Sequence, residues 1–256
     1  MFWLLRLVLV GVLIMARGAP DDSNVKVGTD VFRLDDLAEL AVRLGSIVTY
    51  NRYGSVLMLD GFEEGKNAWN TGSAGVGGEV EITGERAYNG QVCLKMVSGT
   101  GADPHSGMNK YLPPITECRI GLQTCFGIDL NVVSVVFMIR YFLPPYRYHF
   151  VIRYNHLLGV LEYESADTVW VTFGECGFIY DGSNNFHNMK MVVDMETRGY
   201  VRCSFNNVVY DMSSLVSYTS LSPNGPFLFP EMRVYGDGIL SGIAYFDNVI
   251  VTYNEF

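Results

Sequence analysis

Soft-ligand and nucleophile chemistry is scarce in this chain: four histidines and five cysteines are spread over 256 residues. No two cysteines form a C-x-x-C pair, which argues against a structural zinc site or a dithiol redox centre. H-E-x-x-H and G-x-S-x-G are both missing, and the glycine-rich "GSAGVGGE" has no Lys-Ser/Thr behind it, so it reads as a flexible turn and not a phosphate loop. Charge is thin as well, at 18% of residues, with a net charge of −9. Lysine and arginine never gather in a run. An acidic chain without a basic stripe has no electrostatic hold on a phosphate backbone, which excludes nucleic acid as a partner. The apolar run from Leu7 to Ala16 falls short of the roughly 20 residues that a membrane span needs. Nothing here outlines a catalytic constellation, and no enzyme is expected.

What the chain does have is apolar and aromatic bulk, 49% and 13% of its residues. That is rich for a soluble monomer and implies apolar surface covered by partner subunits. Cys93, Cys118, Cys125, Cys176 and Cys203 sit among apolar or β-prone neighbours and are expected to be free, structural thiols. The opening "MFWLLRLVLVGVLIMARGAPDD" can be read as a signal peptide, with Arg6 before the apolar run and Ala16-x-Gly18 as a cleavage site. It can equally be read as a buried β-arm, since "LVLVGVLIM" is rich in Val, Leu and Ile and lacks Pro. The arm is the favoured reading. In "VFRLDDLAELAVRLG", Leu37, Leu40, Ala41 and Leu44 recur at helical spacing and Gly45 supplies a stop, which predicts one short amphipathic helix. Residues 1–46 are therefore expected to form a docking segment that works through Leu7, Leu9, Val12, Ile14, Leu37, Leu40 and Leu44.

From Ile47 onward short runs rich in Val, Ile, Tyr and Phe alternate with Gly, Asn, Asp and Pro clusters, from Val56–Asp60 to Ile243–Tyr253. "METRGYV" reads as one tight hairpin and "FNNVVYD" as another, turning at Asn206-Asn207. The predicted fold is mainly β: an antiparallel two-sheet jelly-roll sandwich over residues 47–256, with an extended N-terminal arm and the one helix. In "RYFLPPYRYHFVIRY", strand alternation puts Tyr148, Phe150 and Tyr154 on one face and His149, Val151 and Arg153 on the other. The aromatic face suits cross-strand core packing, or a platform on which a sugar ring stacks. The pairs Glu79/Glu81 and Glu162/Glu164 share strand faces and are expected to point at solvent.

Two segments carry a resemblance. "LDGFEEGKNAWNTGSAGVGGEVEITGERAYNGQVCLKMVSGTG", through Phe62, Glu63, Gly65, Trp69, Ala87, Gly90, Leu94 and Lys95, and the closing "AYFDNVIVTY" resemble concanavalin-A-like and carbohydrate-binding-module jelly rolls. That resemblance implies possible glycan binding. It also implies a possible structural Ca²⁺ gripped by Glu63 and Asp247, with backbone carbonyls and Glu64 or Asn248 completing its oxygen shell. The plainer alternative is that Asp247 and Asn248 cap a strand bend through the nearby backbone. A narrower likeness joins "LAELAVRLGSIVTYNRYGSVLMLDGFEEG" and "FHNMKMVVDMETRGYVRCSFNNVVYDMSS" to tailed-bacteriophage proteins that attach an arm and helix to a jelly roll. It implies a non-enzymatic virion component, a capsid decoration or appendage protein, assembled in the host cytoplasm and contacting other virion proteins and copies of itself. The alternative is a secreted, lectin-like carbohydrate-binding module with a cleaved signal peptide.

Overall fold

The computed structural model describes residues 54–115, 118–179 and 185–255. The arm and helix expected over residues 1–46, and with them Leu7, Leu9, Val12, Ile14, Leu37, Leu40 and Leu44, lie outside the described residues.

The described chain is all β. Its strands are β1 (Ser55–Asp60), β2 (Asn70–Val76), β3 (Glu79–Thr83), β4 (Cys93–Val97), β5 (Thr100–Asn109), β6 (Arg119–Ile128), β7 (Val132–Leu143) and β8 (Tyr146–Asn155). They continue as β9 (Val160–Ala166), β10 (Val169–Glu175), β11 (His187–Asp194), β12 (Gly199–Phe205), β13 (Val208–Asp211), β14 (Tyr218–Leu221), β15 (Phe227–Gly236) and β16 (Ile243–Tyr253). Two antiparallel sheets result. The first runs β13-β12-β11-β6-β16-β4-β3, with β1 paired to the C-terminal half of β16. The second runs β10-β9-β8-β7-β15-β5-β2, with β14 paired to β8. The expected antiparallel sandwich is therefore what the chain forms, and both expected hairpins are present as β11–β12 and β12–β13.

Three strands were not legible in advance. β2 (NTGSAGV) and β5 (TGADPHSGMN) are built from small and polar residues, and β14 has four residues only. Their place in the sheet is set by neighbours and not by propensity. Gly107 on β5 shows why: a Cβ there would lie 2.8 Å from the Arg233 side chain, which crosses it from β15.

Alternation decides what faces inward. On β7 it is Val135, Phe137, Ile139 and Tyr141, on β8 Phe150, Ile152 and Tyr154, and from the first sheet Leu122, Phe126, Met189, Met191, Phe246 and Val251. Phe126 lies at the centre, with ring centroids 5.7 Å from Phe137 and 6.3 Å from Tyr154, Phe205 and Phe246. Tyr200 of β12 pins one sheet to the other: its hydroxyl accepts from the Val151 amide at 2.8 Å and donates to the Val151 carbonyl at 3.2 Å. Cys93, Cys118, Cys176 and Cys203 are free thiols. Burial pushes Cys93 up to about 12 and Cys176 to about 11, which suits structural and not reactive sulfur.

Candidate functional site

The residues that point away from the core on the second sheet form its most organised surface. On β7 these are Val136, Met138 and Arg140, and on β8 His149, Val151 and Arg153. β15 contributes Glu231, Arg233 and Tyr235. Register sets Met138 beside both Glu231 and Val151, and Val136 beside both Arg233 and Arg153. Val136, Met138 and Val151 are buried although they face outward, and Trp170 of β10 and Tyr235 pack against them from either side. The result is an apolar floor between two aromatic walls.

Charged groups ring this floor in closed pairs. Glu231 takes Arg140 on one oxygen at 2.7 Å and Arg233 on the other at 2.5 Å. Arg153 Nε donates to Glu162 Oε2 at 2.6 Å while its guanidinium lies 4.0 Å from the centre of the Trp170 ring. Asn155 adds a further bond to Glu162 Oε2 at 3.0 Å. Desolvation by burial pulls the Arg140 guanidinium below its ordinary value and raises the Glu164 carboxyl. Two buried polar atoms here have no partner among the described residues, Arg140 Nε and Asn155 Oδ1, while Glu231 Oε2 has no hydrogen bond but is ion-paired with Arg140. The Arg140–Glu231 contact is close enough for charge pairing but misaligned for a hydrogen bond. Buried groups of this kind are normally satisfied, by protein, by ordered water or by a ligand.

A Ser220–His149 pair sits on the same face, with His149 Nε2 2.9 Å from Ser220 Oγ. Arg147 Nε donates to that same nitrogen at 2.8 Å. Burial, helped by the nearby arginines, drives the imidazole down to about 3. The imidazole also stacks on Tyr218, centroids 4.1 Å apart. An imidazole so hard to protonate is a poor general base, and the pair lacks the usual acidic orienting partner.

Of the two readings of the aromatic face, core packing is the one the chain takes. Tyr148, Phe150 and Tyr154 do share a side of β8, but it is the inner side: Phe150 and Tyr154 have no exposed surface, and half-buried Tyr148 packs on Tyr141 and under Arg198. The polar side of the strand, His149, Val151 and Arg153, is the one that faces outward. Glu162 and Glu164 likewise depart from the solvent-facing expectation, each being buried on this face. Arg140, Glu231, Arg233, Trp170 and Tyr235 were not singled out from sequence. The available signal was "EMRVY", where charged or polar side chains alternate with apolar ones inside a strand that is otherwise buried.

Glu63 and Asp247 are brought together, though around a loop. Glu63 Oε1 accepts from the amides of Gln91 at 2.8 Å and Val92 at 3.2 Å. Asp247 Oδ2 accepts from Tyr88 and Asn89, both at 2.9 Å, and Oδ1 from Asn248 at 2.7 Å. Asn248 itself sits at φ 50° where the β6–β16 register shifts. Burial raises Asp247 to about 6 against the pull of those three amides, and the Glu63 charge adds to the rise. Calcium requires several oxygens with lone pairs free to face it. Here Glu63 Oε1 and Asp247 Oδ2 each already accept two N–H bonds, and the buried Asn248 Nδ2 is a donor. Among the described residues no three metal-ligating side chains gather. Together the two carboxylates anchor the 88–92 loop.

No family model matches the sequence, and no curated protein is similar to it in sequence. Among solved structures the chain is similar to the cellulose induced protein Cip1, with a TM-score of 0.52 and 14% identity over 76% of this chain and 96% of that one. It is similar in the same measure to a protein of unknown function with a galectin-like fold from Bacillus subtilis, with a TM-score of 0.52 and 13% identity over 80% of this chain and 99% of that one. A carbohydrate esterase from the Shiga toxin-encoding bacteriophage phi24B overlaps with a TM-score of 0.47 at 11% identity, over 79% of this chain and 100% of that one. At such identities the first two likenesses speak to fold alone, and the fold is that of an antiparallel two-sheet β-sandwich.

Proposed function

We propose that this protein is a carbohydrate-binding β-sandwich module that holds neutral saccharides on the outer face of its second sheet and performs no chemistry on them. One observation carries the reading: an outward apolar floor between Trp170 and Tyr235, bordered by buried polar atoms that lack partners. A sugar ring offers an apolar face for the aromatic walls and hydroxyls for the orphaned groups. A neutral ligand suits the face because each of Arg140, Arg233 and Arg153 is already ion-paired with Glu231 or Glu162.

Carboxylate spacing supports the absence of catalysis. Three strand steps separate Glu231 from Glu162 and Glu164, about 14 Å at roughly 4.8 Å per strand. Glycosidase pairs stand about 5–9.5 Å apart. Glu162 is held by Arg153 and Asn155, and Glu164 accepts from the Thr168 amide at 2.9 Å, so neither is free to serve a leaving group.

For the setting, a virion appendage assembled in the host cytoplasm is proposed, with which the thiols of Cys93, Cys118, Cys176 and Cys203 are compatible. Residues 1–46 would tether the module there, and the sandwich would carry the binding face. Titration calorimetry with neutral gluco-, xylo-, manno- and galacto-oligosaccharides is the direct test. Binding by one of these, weakened about tenfold or more in both Trp170→Ala and Tyr235→Ala, is expected. No binding across the series, or binding indifferent to both substitutions, overturns the proposal.

A further inference from the structure

A second cleft, of about 480 Å³, opens on the outer face of the first sheet, on the opposite side of the sandwich. Its walls are Tyr88 from the β3–β4 loop, Phe186 and His187 at the start of β11, Asn188 beside them, and Asn206 and Asn207 from the β12–β13 turn. The volume is within the usual range of small-molecule sites, about 300–1,000 Å³. No charged side chain lines it.

Its polar groups are fixed before any ligand arrives. Asn206 sits at φ 51°, its Oδ1 accepting from the Asn188 amide at 3.0 Å and its Nδ2 lying 3.1 Å from His187 Nδ1. Asn188 Oδ1 accepts in turn from Gln123 at 3.3 Å. Desolvation lowers His187, so the imidazole stays neutral. The Asn207 side chain, exposed at the turn, has no hydrogen bond among the described residues. Tyr88 and Phe186 meet at a ring-centroid distance of 5.7 Å and an angle of 58°, which makes an apolar corner and not a parallel slot. Gly127 beneath them lets that corner close in, since a Cβ there would lie 3.3 Å from the Asn185 carbonyl and 3.9 Å from the Phe186 ring.

We infer that this cleft is a second binding site, taking the end of a neutral saccharide chain. Carboxamides both donate and accept, as vicinal hydroxyls do, and each can pair with a diol without any charge to neutralise. A tilted aromatic corner receives one face and one edge of a single pyranose. A flat base or an extended chain would want a parallel slot or an open groove. The site is separate from the outer face of the second sheet and does not depend on it. If both faces bind, one module bridges two chains.

The test is a titration of the isotopically labelled full chain with the same neutral oligosaccharides, followed through backbone amide signals. Saturable shifts at Phe186, Asn206 and Asn207 are expected, weakened about tenfold or more by Phe186→Ala and by Asn207→Ala and untouched by Trp170→Ala. Asn207 is exposed in a turn, so its variant decides the matter if Phe186→Ala fails to fold. Shifts confined to the second sheet, or cleft shifts indifferent to Asn207→Ala, overturn the inference. Cleft shifts without any response near Trp170 and Tyr235 leave it standing and remove the first site instead.

Discussion

Gly121 shows how a single missing side chain supports a buried charge network. It lies on the outer side of β6, beneath Glu255, whose carboxylate takes Lys190 at 2.5 Å, Arg202 at 2.7 Å and the Thr252 hydroxyl at 2.5 Å. Lys190 and Glu255 are almost wholly buried, and desolvation lowers the lysine against the support of its partner. A Cβ on Gly121 would come within 2.9 Å of both Glu255 Oε1 and Lys190 Cε. Gly121→Ala must therefore push the pair apart or lift the C-terminal residues. Breaking a buried pair costs about 3–5 kcal/mol, and a loss of that size in urea unfolding is expected. A loss below about 1 kcal/mol would show that the tail moves aside freely. His149 gives a pH-dependent counterpart. Its folded value, about 3, lies below the 6.5 of an exposed histidine, so the unfolded chain binds the extra proton between those values. Its stabilising contribution is complete above pH 6.5 and is lost as pH falls toward 3. At pH 5 the loss is about 2 kcal/mol relative to neutral pH, from about 1.5 pH units at 1.36 kcal/mol each. His187 is lowered too and acts with the same sign. His149→Gln should flatten the pH dependence of unfolding by about that amount; an unchanged profile would assign the slope to other groups.

At the scale of strands and loops, what could be read from sequence and what could not have one cause. Strands such as β6, β7 and β16 announce themselves because Val, Ile and Phe recur along segments buried on at least one side. β2 and β5 do not, because their Gly, Ser and Asn residues are chosen for what passes over them. Alternation on β8 gave the right partition of side chains, but a period of two does not say which side is the core. Aromatics and polar residues compete for that choice. Here Tyr154 packs against Phe126 and Phe205 and Phe150 against Tyr200, and the arginine side faces out. The proposed binding face was missed for the same reason: Trp170 and Tyr235 are far apart in sequence, and only sheet order sets them on either side of Met138. The resemblance fared differently, since Phe62 and Trp69 are core residues, with Trp69 Nε1 donating to Asp60 at 2.8 Å. Its calcium corollary meets the backbone amides that occupy Glu63 and Asp247. Millimolar calcium and EDTA are accordingly expected to leave the melting temperature unchanged within a degree. A rise of several degrees with calcium would show that the 88–92 loop yields its amides to a cation.

For the whole molecule, the question is whether binding and attachment are separable. The sandwich closes on itself: β1 is held along β16, the sheets share one core, and Tyr200 ties them across it. We propose a division between a docking segment over 1–46, working through Leu7, Leu9, Val12 and Ile14, and a binding module over 47–256. On that proposal the hold comes from burying the apolar arm on a partner, worth roughly 25 cal/mol per Å². A chain shortened to residues 47–256 is expected to unfold in one cooperative transition, to bind the same oligosaccharides with unchanged affinity, and to elute as a monomer. The full chain is expected to self-associate at the same concentration. If the shortened chain is molten or loses saccharide binding, the first 46 residues belong to the sandwich, and the separation into tether and module fails. If both chains elute as monomers, the arm has no affinity for a second copy, and its partner must be sought among different proteins.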